Sequence, residues 1–139
     1  MIGIIVGSES DLETMSHCTD NLKVLGLHYD MVVASAHRNP DAVTEFIKNC
    51  EAKGYKIIIA AAGMAAALPG VVASQTKLPV IGVPMKSDLM GIDSLLSIVQ
   101  MPKGVPVACM SVGKHGAVNA ALYAKRILNL IDNDQPYGA

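Results

Sequence analysis

The chain alternates short, almost unbroken apolar runs with longer stretches in which apolar residues return at helical spacing. The runs Ile2 to Val6, Tyr29 to Ala34, Ile57 to Ala61, Val80 to Val83 and Val107 to Met110 predict strands. Helices are predicted from about Asp11 to Leu25, Asp41 to Lys53, Leu68 to Gln75, Ser94 to Gln100 and His115 to Ile131. Five βα units follow, with no internal repeat, linker or low-complexity segment to divide residues 1–139 into more than one domain.

Runs such as Ile57-Ile58-Ile59-Ala60-Ala61 show no polar alternation, so both faces of the strand are expected to be covered. That pattern belongs to parallel sheets with helices on each side. Right-handed crossovers then favour a doubly wound α/β fold, a three-layer sandwich whose five parallel strands fit, by analogy, the flavodoxin-like order 2-1-3-4-5. Local signals agree with these boundaries. Ser10 or Asp11 is placed to cap the first helix, Gly26 to end it in the left-handed conformation, and Asn39 to cap the second just before Pro40.

Composition narrows the function. Eleven basic residues balance twelve acidic ones, with no Lys/Arg cluster, which removes the electrostatic footprint of a nucleic-acid or anionic-membrane binder. The segment Met1 to Gly7 is too short for the apolar region of a signal peptide and lacks a basic leader; no apolar run reaches membrane-span length. The expectation is a cytoplasmic protein acting on small molecules. Cys18, Cys50 and Cys109 are odd in number, widely spaced and set in apolar patterns, and so read as reduced core thiols. With aromatic residues at 4% and no Trp, the core must be aliphatic, and the apolar excess of 51% in so short a chain points to burial between subunits.

Two polar patches follow predicted strands directly: Gly7-Ser8-Glu9-Ser10-Asp11 and Ser35-Ala36-His37-Arg38-Asn39-Pro40. In an open parallel sheet, loops beyond the carboxyl ends of the strands line the ligand crevice. Ser8 and Ser10 offer hydroxyls, with backbone N–H groups beside them, to a phosphate at a helix's positive end; the alternative is that they only cap and turn the chain. Asp11 would be repelled by a phosphate and suits ribose hydroxyls. His37 brings an imidazole, the side-chain type suited to passing protons, and Arg38 a guanidinium that grips phosphate or carboxylate in two-pronged fashion; the alternative is a solvated loop histidine. Ala62 to Gly70 consists almost wholly of small residues, which lets either a ligand or a packed helix approach the backbone.

Taken in order, these segments, with Gly82-Val83-Pro84, Asp93 to Pro102 and Asn119-Ala120-Ala121-Leu122, resemble the N5-carboxyaminoimidazole ribonucleotide mutases, the PurE proteins of purine biosynthesis. The resemblance covers nearly the whole chain. It implies conversion of N5-carboxyaminoimidazole ribonucleotide to the C4-carboxylated isomer: the carbamate is lost as CO2, which is held and re-added at C4. It implies no metal, nucleotide cofactor or ATP, and a homo-oligomer, an octamer in the family pattern. Carried over by position, it makes His37 the proton shuttle, Ser8, Asp11 and Arg38 substrate contacts, and Ser10 and Ser35 supporting contacts; side-chain size alone suggests the backbone of Gly63, Ala65, Ala66 and Leu68 as the pocket wall.

The chain departs from the pattern at Ala67, where many relatives carry His, which leaves the carboxyl source open between the mutase and a direct aminoimidazole ribonucleotide carboxylase. Arg38, where the direct carboxylases usually have Lys, favours the mutase. The chain also ends at Ala139, without the longer C-terminal extension of many relatives, which leaves the octamer geometry open. Two other readings stand beside it. One is the nicotinic acid dinucleotide carboxylase of nickel-pincer cofactor synthesis, which shares the Ala-Gly-Met and Ala-Leu-Pro pattern. The other is a flavodoxin-like receiver module using Asp11 or Asp88, for which a paired acidic cluster after strand one is lacking.

Overall fold

The computed structural model describes residues 1–132, and the expectations above for 133–139 lie outside it. Five parallel strands, β1 (Ile2–Val6), β2 (Tyr29–Val33), β3 (Ile57–Ala62), β4 (Val80–Pro84) and β5 (Ala108–Cys109), form one sheet in the order β2-β1-β3-β4-β5. The helices are α1 (Leu12–Val24), α2 (Pro40–Ala52), α3 (Leu68–Ser74), α4 (Ile92–Val99) and α5 (Lys114–Asp132). The expected strand order and doubly wound layering are present.

The unbroken apolar character of β1, β3 and β4 follows from burial on both faces, which sorts their side chains with period two. Ile2, Ile4, Val6, Ile57, Ile59, Ala61, Ile81 and Val83 face α1 and α5, where they meet Met15, Cys18, Leu22 and the alanine seam Ala117, Ala120, Ala121 and Ala124. Ile5, Ile58, Ala60, Ala62 and Val80 face the other way, onto Val43, Phe46, Ile47, Cys50, Leu68, Val72 and Ile98. Each such Ile, fully buried, contributes roughly 1.5–3 kcal/mol relative to exposure. Strand β2, at an edge, is only half-buried, with Met31 and Val33 exposed.

Glycines in the strands let helices approach the second face. A Cβ on Gly82 would lie 2.5 Å from Ile98 Cγ2 and 3.1 Å from Val107 Cγ1, and one on Gly3 would lie 2.6 Å from Cys50 Sγ. Helices α1 and α2 end in the same way. The Leu27 N–H donates to Leu22 O and the Gly26 N–H to Lys23 O, while the Tyr55 N–H donates to Cys50 O and the Gly54 N–H to Glu51 O. Gly26 and Gly54 adopt φ +72 and +74, the left-handed turn that closes a Schellman motif.

Several local expectations need correction. Neither Asp11 nor Asn39 makes a side-chain cap bond; the capping oxygen belongs to Ser8, which accepts from the Ser10 N–H ahead of a 3-10 turn at Glu9–Asp11. Helix α4 starts at Ile92, after Gly91 at φ +85, rather than at Ser94. Strand β5 is two residues long, because it has a single neighbour and Pro106 brings no N–H to the ladder, although the Met110 N–H still reaches Gly82 O at 2.9 Å. Cys18 and Cys50 are buried free thiols as expected, whereas Cys109 is only partly buried beside the edge.

Candidate active site

The parallel sheet sends the carboxyl ends of all its strands to one rim. Backbone bonds lock those ends together: the Ala34 N–H donates to Val6 O, the Gly7 N–H to Ala61 O and the Met85 N–H to Ala62 O, each at 2.9 Å. The loops that leave from these points enclose an open cleft of about 540 Å³, lined by Gly7, Ser8, Ser10, Asp11, Ser35 to Arg38, Ala62 to Leu68 and Met85 to Ser87. Ser8, Ser10, Asp11, Ser35, His37, Arg38, Gly63, Ala65, Ala66 and Leu68 are therefore brought to one cavity from three separate loops.

In the first loop, Ser8 Oγ and Ser10 Oγ lie 2.9 Å apart. The Ser10 N–H donates to Ser8 Oγ at 3.3 Å and the Asp11 N–H to Ser8 O at 3.1 Å. Those two N–H groups are thus already engaged, so an anion here would be met chiefly by the hydroxyls. Burial pushes the Asp11 carboxyl above the usual carboxylate range, since nothing nearby offsets the lost hydration of its charge. It is the single acidic side chain in the cleft lining and wants a donor such as a ligand hydroxyl.

The second loop is a tight turn. The Arg38 N–H donates to Ser35 Oγ at 3.2 Å and the Asn39 N–H to Ser35 O at 2.8 Å. Ser35 therefore sets the turn that presents His37 and Arg38 to solvent at the cleft edge, and Pro40 starts α2 immediately behind. Arg38 has no acidic partner among the described residues, where the recorded ion pair is Lys53 with Asp30.

The third loop forms the wall between. The Ala66 N–H donates to Met64 O at 2.9 Å and the Ala67 N–H to Ala65 O at 2.8 Å, which curls the backbone, and Met64 takes a left-handed φ of 57 with its side chain exposed. Such a conformation costs a non-glycine residue about 1–3 kcal/mol and persists only where neighbours hold it. The Met85 side lies close: a Cβ on Gly63 would sit 3.3 Å from Met85 Cβ. Met85, Lys86 and Ser87 were not among the sequence-derived site residues. Their signal was available, since they too stand just past the carboxyl end of an apolar strand. Among the described residues no group of three or more His, Cys, Asp or Glu is gathered as metal ligands.

A family model described as AIR carboxylase matches residues 1–135. The chain belongs to the AIR carboxylase family. Among its relatives, the N5-carboxyaminoimidazole ribonucleotide mutase of Bacillus subtilis (strain 168) is 56% identical over 135 residues, covering 96% of this chain and 83% of that protein. The mutase of the same name from Brucella melitensis is 54% identical over 132 residues, covering 94% and 82%. Among solved structures, Treponema denticola PurE superposes with a TM-score of 0.84 at 33% identity, covering 93% of this chain and 80% of that one. The fold of this AIR carboxylase family chain thus matches that of a solved PurE structure.

Proposed function

We propose that the chain is an N5-carboxyaminoimidazole ribonucleotide mutase, an isomerase that moves a carboxyl group from the exocyclic nitrogen to C4 of the imidazole. The reading is supported by relatives bearing that name at about half identity over most of both chains. The observation that carries it at the level of chemistry is the convergence of hydroxyls, one carboxylate, one imidazole and one guanidinium on a cleft walled by small residues.

Arg38 with the Ser8 and Ser10 hydroxyls suits the phosphate, and Asp11 accepts hydrogen bonds from the ribose hydroxyls; Ser35 holds Arg38 in place. Protonated His37 gives its proton to the exocyclic nitrogen as the N–C bond breaks; the bond pair passes to nitrogen and CO2 is released into the cleft. C4 then adds to the CO2 carbon, and neutral His37 removes the C4 proton, returning to its starting state. One proton is given and one taken, and no electrons are gained or lost, so the sequence needs no redox partner. An imidazole can both give and take a proton, which suits it to the two transfers. The small side chains from Gly63 to Leu68 let the substrate lie close against the backbone, and the bound ribonucleotide, by filling the open cleft, would displace water from beside the CO2.

The whole chain is read as one catalytic domain, cytoplasmic, and assembled as a homo-oligomer, an octamer in the family pattern. Leu89, Met90, Ile92, Leu96 and Val99 support the assembly, as they form an exposed apolar stripe along α4 and its approach. No helix of the described residues is long and apolar enough to cross a membrane.

The decisive experiment supplies purified protein separately with the N5-carboxylated ribonucleotide and with the uncarboxylated ribonucleotide plus low bicarbonate, following the C4-carboxylated product. Product from the first substrate alone is expected. Product only from the second would make the chain a direct carboxylase, and product from neither would reject a purine substrate.

A further inference from the structure

The cleft lining holds two fixed cations, Arg38 and Lys86, and the mechanism above uses one of them. Lys86 follows β4, whereas Arg38 follows β2, and the sheet order places β1 and β3 between those strands. At a strand spacing of about 4.8 Å the two loops start roughly 14 Å apart. Both residues line the cleft, one from each bank, and its volume of about 540 Å³ is enough for a nucleoside monophosphate between them.

We infer that Lys86 is a second anion anchor, the one that holds the carboxyl group being moved. The inference rests on the mutase reading. The substrate is anionic at both ends, with a phosphate on one side and a carbamate or ring carboxylate on the other. The hydroxyls of Ser8, Ser10 and Ser35 collect with Asp11 and Arg38 at the β1–β2 bank and serve the phosphoribosyl end, while Ser87 lies beside Lys86 on the β4 bank. The imidazole then lies across the small-residue loop after β3, with its carboxyl group directed to the β4 bank. Lys86 is the cation of the lining there, and neither it nor Arg38 is paired with an acidic side chain among the described residues.

Its backbone is fixed while its head is free. The preceding residue, Met85, is buried; its N–H donates to Ala62 O at 2.9 Å and its carbonyl accepts from Ser94 Oγ at 2.7 Å. From that rigid start an exposed, flexible stem carries an ammonium with three rotatable donors. A point charge of this kind can follow a carboxyl group from nitrogen to C4, which the fixed fork of a guanidinium cannot do as readily.

The test measures equilibrium binding of the C4-carboxylated and the uncarboxylated ribonucleotides to wild type, Lys86→Met and Lys86→Arg. Lys86→Met is expected to weaken the carboxylated ligand about tenfold or more, with the uncarboxylated ligand changed less than about twofold, and Lys86→Arg to recover much of the loss. Equal weakening of both ligands would place Lys86 at the phosphate and overturn the assignment. No change in either would overturn it as well. A wild-type protein that binds neither ligand would instead reject the mutase reading, and the role of Lys86 with it.

Discussion

Adding one methyl group to β4 should disturb both the fold and the site. In Gly82→Ala the new carbon would stand 2.5 Å from Ile98 Cγ2 and 3.1 Å from Val107 Cγ1, where apolar carbons settle at about 3.5–4.0 Å. Ile98 is fully buried and β-branched in a helix, so its χ1 has one favoured setting and it cannot swing aside. Helix α4 must therefore lift by about 1 Å, at a cost near the upper part of the 1–3 kcal/mol range for overpacking. At roughly 3–5 °C per kcal/mol for a domain of this size, thermal unfolding by circular dichroism at fixed protein concentration should show a Tm lowered by about 6–15 °C. Lifting α4 also draws Ser94 from the Met85 carbonyl, so the KM should rise. Ile98→Ala alone opens a cavity costing about 2–5 kcal/mol. In the double variant the methyl occupies that space, and the combined loss should fall short of the sum by about 1–3 kcal/mol. Simple additivity of the two changes would refute the steric account.

Three further outcomes follow from the site. His37→Asn should lower kcat by roughly 10²–10⁴ while ligand affinity stays within about twofold; near-normal turnover would remove His37 from proton transfer. Arg38→Ala should weaken carboxylated and uncarboxylated ribonucleotides alike by about tenfold or more, as read by calorimetry, and unchanged affinity would remove it from the phosphate. Burial raises the Asp11 carboxyl, so between its ordinary value near 4 and the raised one the native state binds more protons than the unfolded, and stability falls as pH rises through that window. Asp11→Asn should thus be more stable than wild type at neutral pH, lose that advantage below about pH 4, and bind the ribonucleotide less well; denaturant melts across pH would expose the opposite sign.

The architecture was legible because burial on both faces leaves β1, β3 and β4 as uninterrupted apolar text, and because helices of ordinary length must join parallel strands. The first two site loops were legible for the same reason: Ser8 to Asp11 and Ser35 to Arg38 stand where an apolar run stops. Edges were read less well. Strand β5 is held from one side, so apolar letters from Val107 to Met110 overstate its ladder. Capping went to Ser8 rather than Asp11 because a 3-10 turn precedes α1, a geometric choice with no separate signature in the residue types. Lys86 escaped notice for a different cause. Its place just past a strand end was visible, but a lysine there looks like any solvated surface lysine until the cleft lining puts it opposite Arg38.

The two rims of the sheet lead different lives. The loops that follow β1, β2, β3 and β4 at the carboxyl rim start from strand ends joined by backbone bonds and share one cavity, so an inserted residue there would misalign several reacting groups together. At the other rim, the Gly26 and Gly54 turns project into open space with nothing within 4 Å of where a side chain would begin. Insertions, labels or fused segments placed at those turns stay a full strand length from the chemistry. The chain can therefore be decorated from below while it works from above.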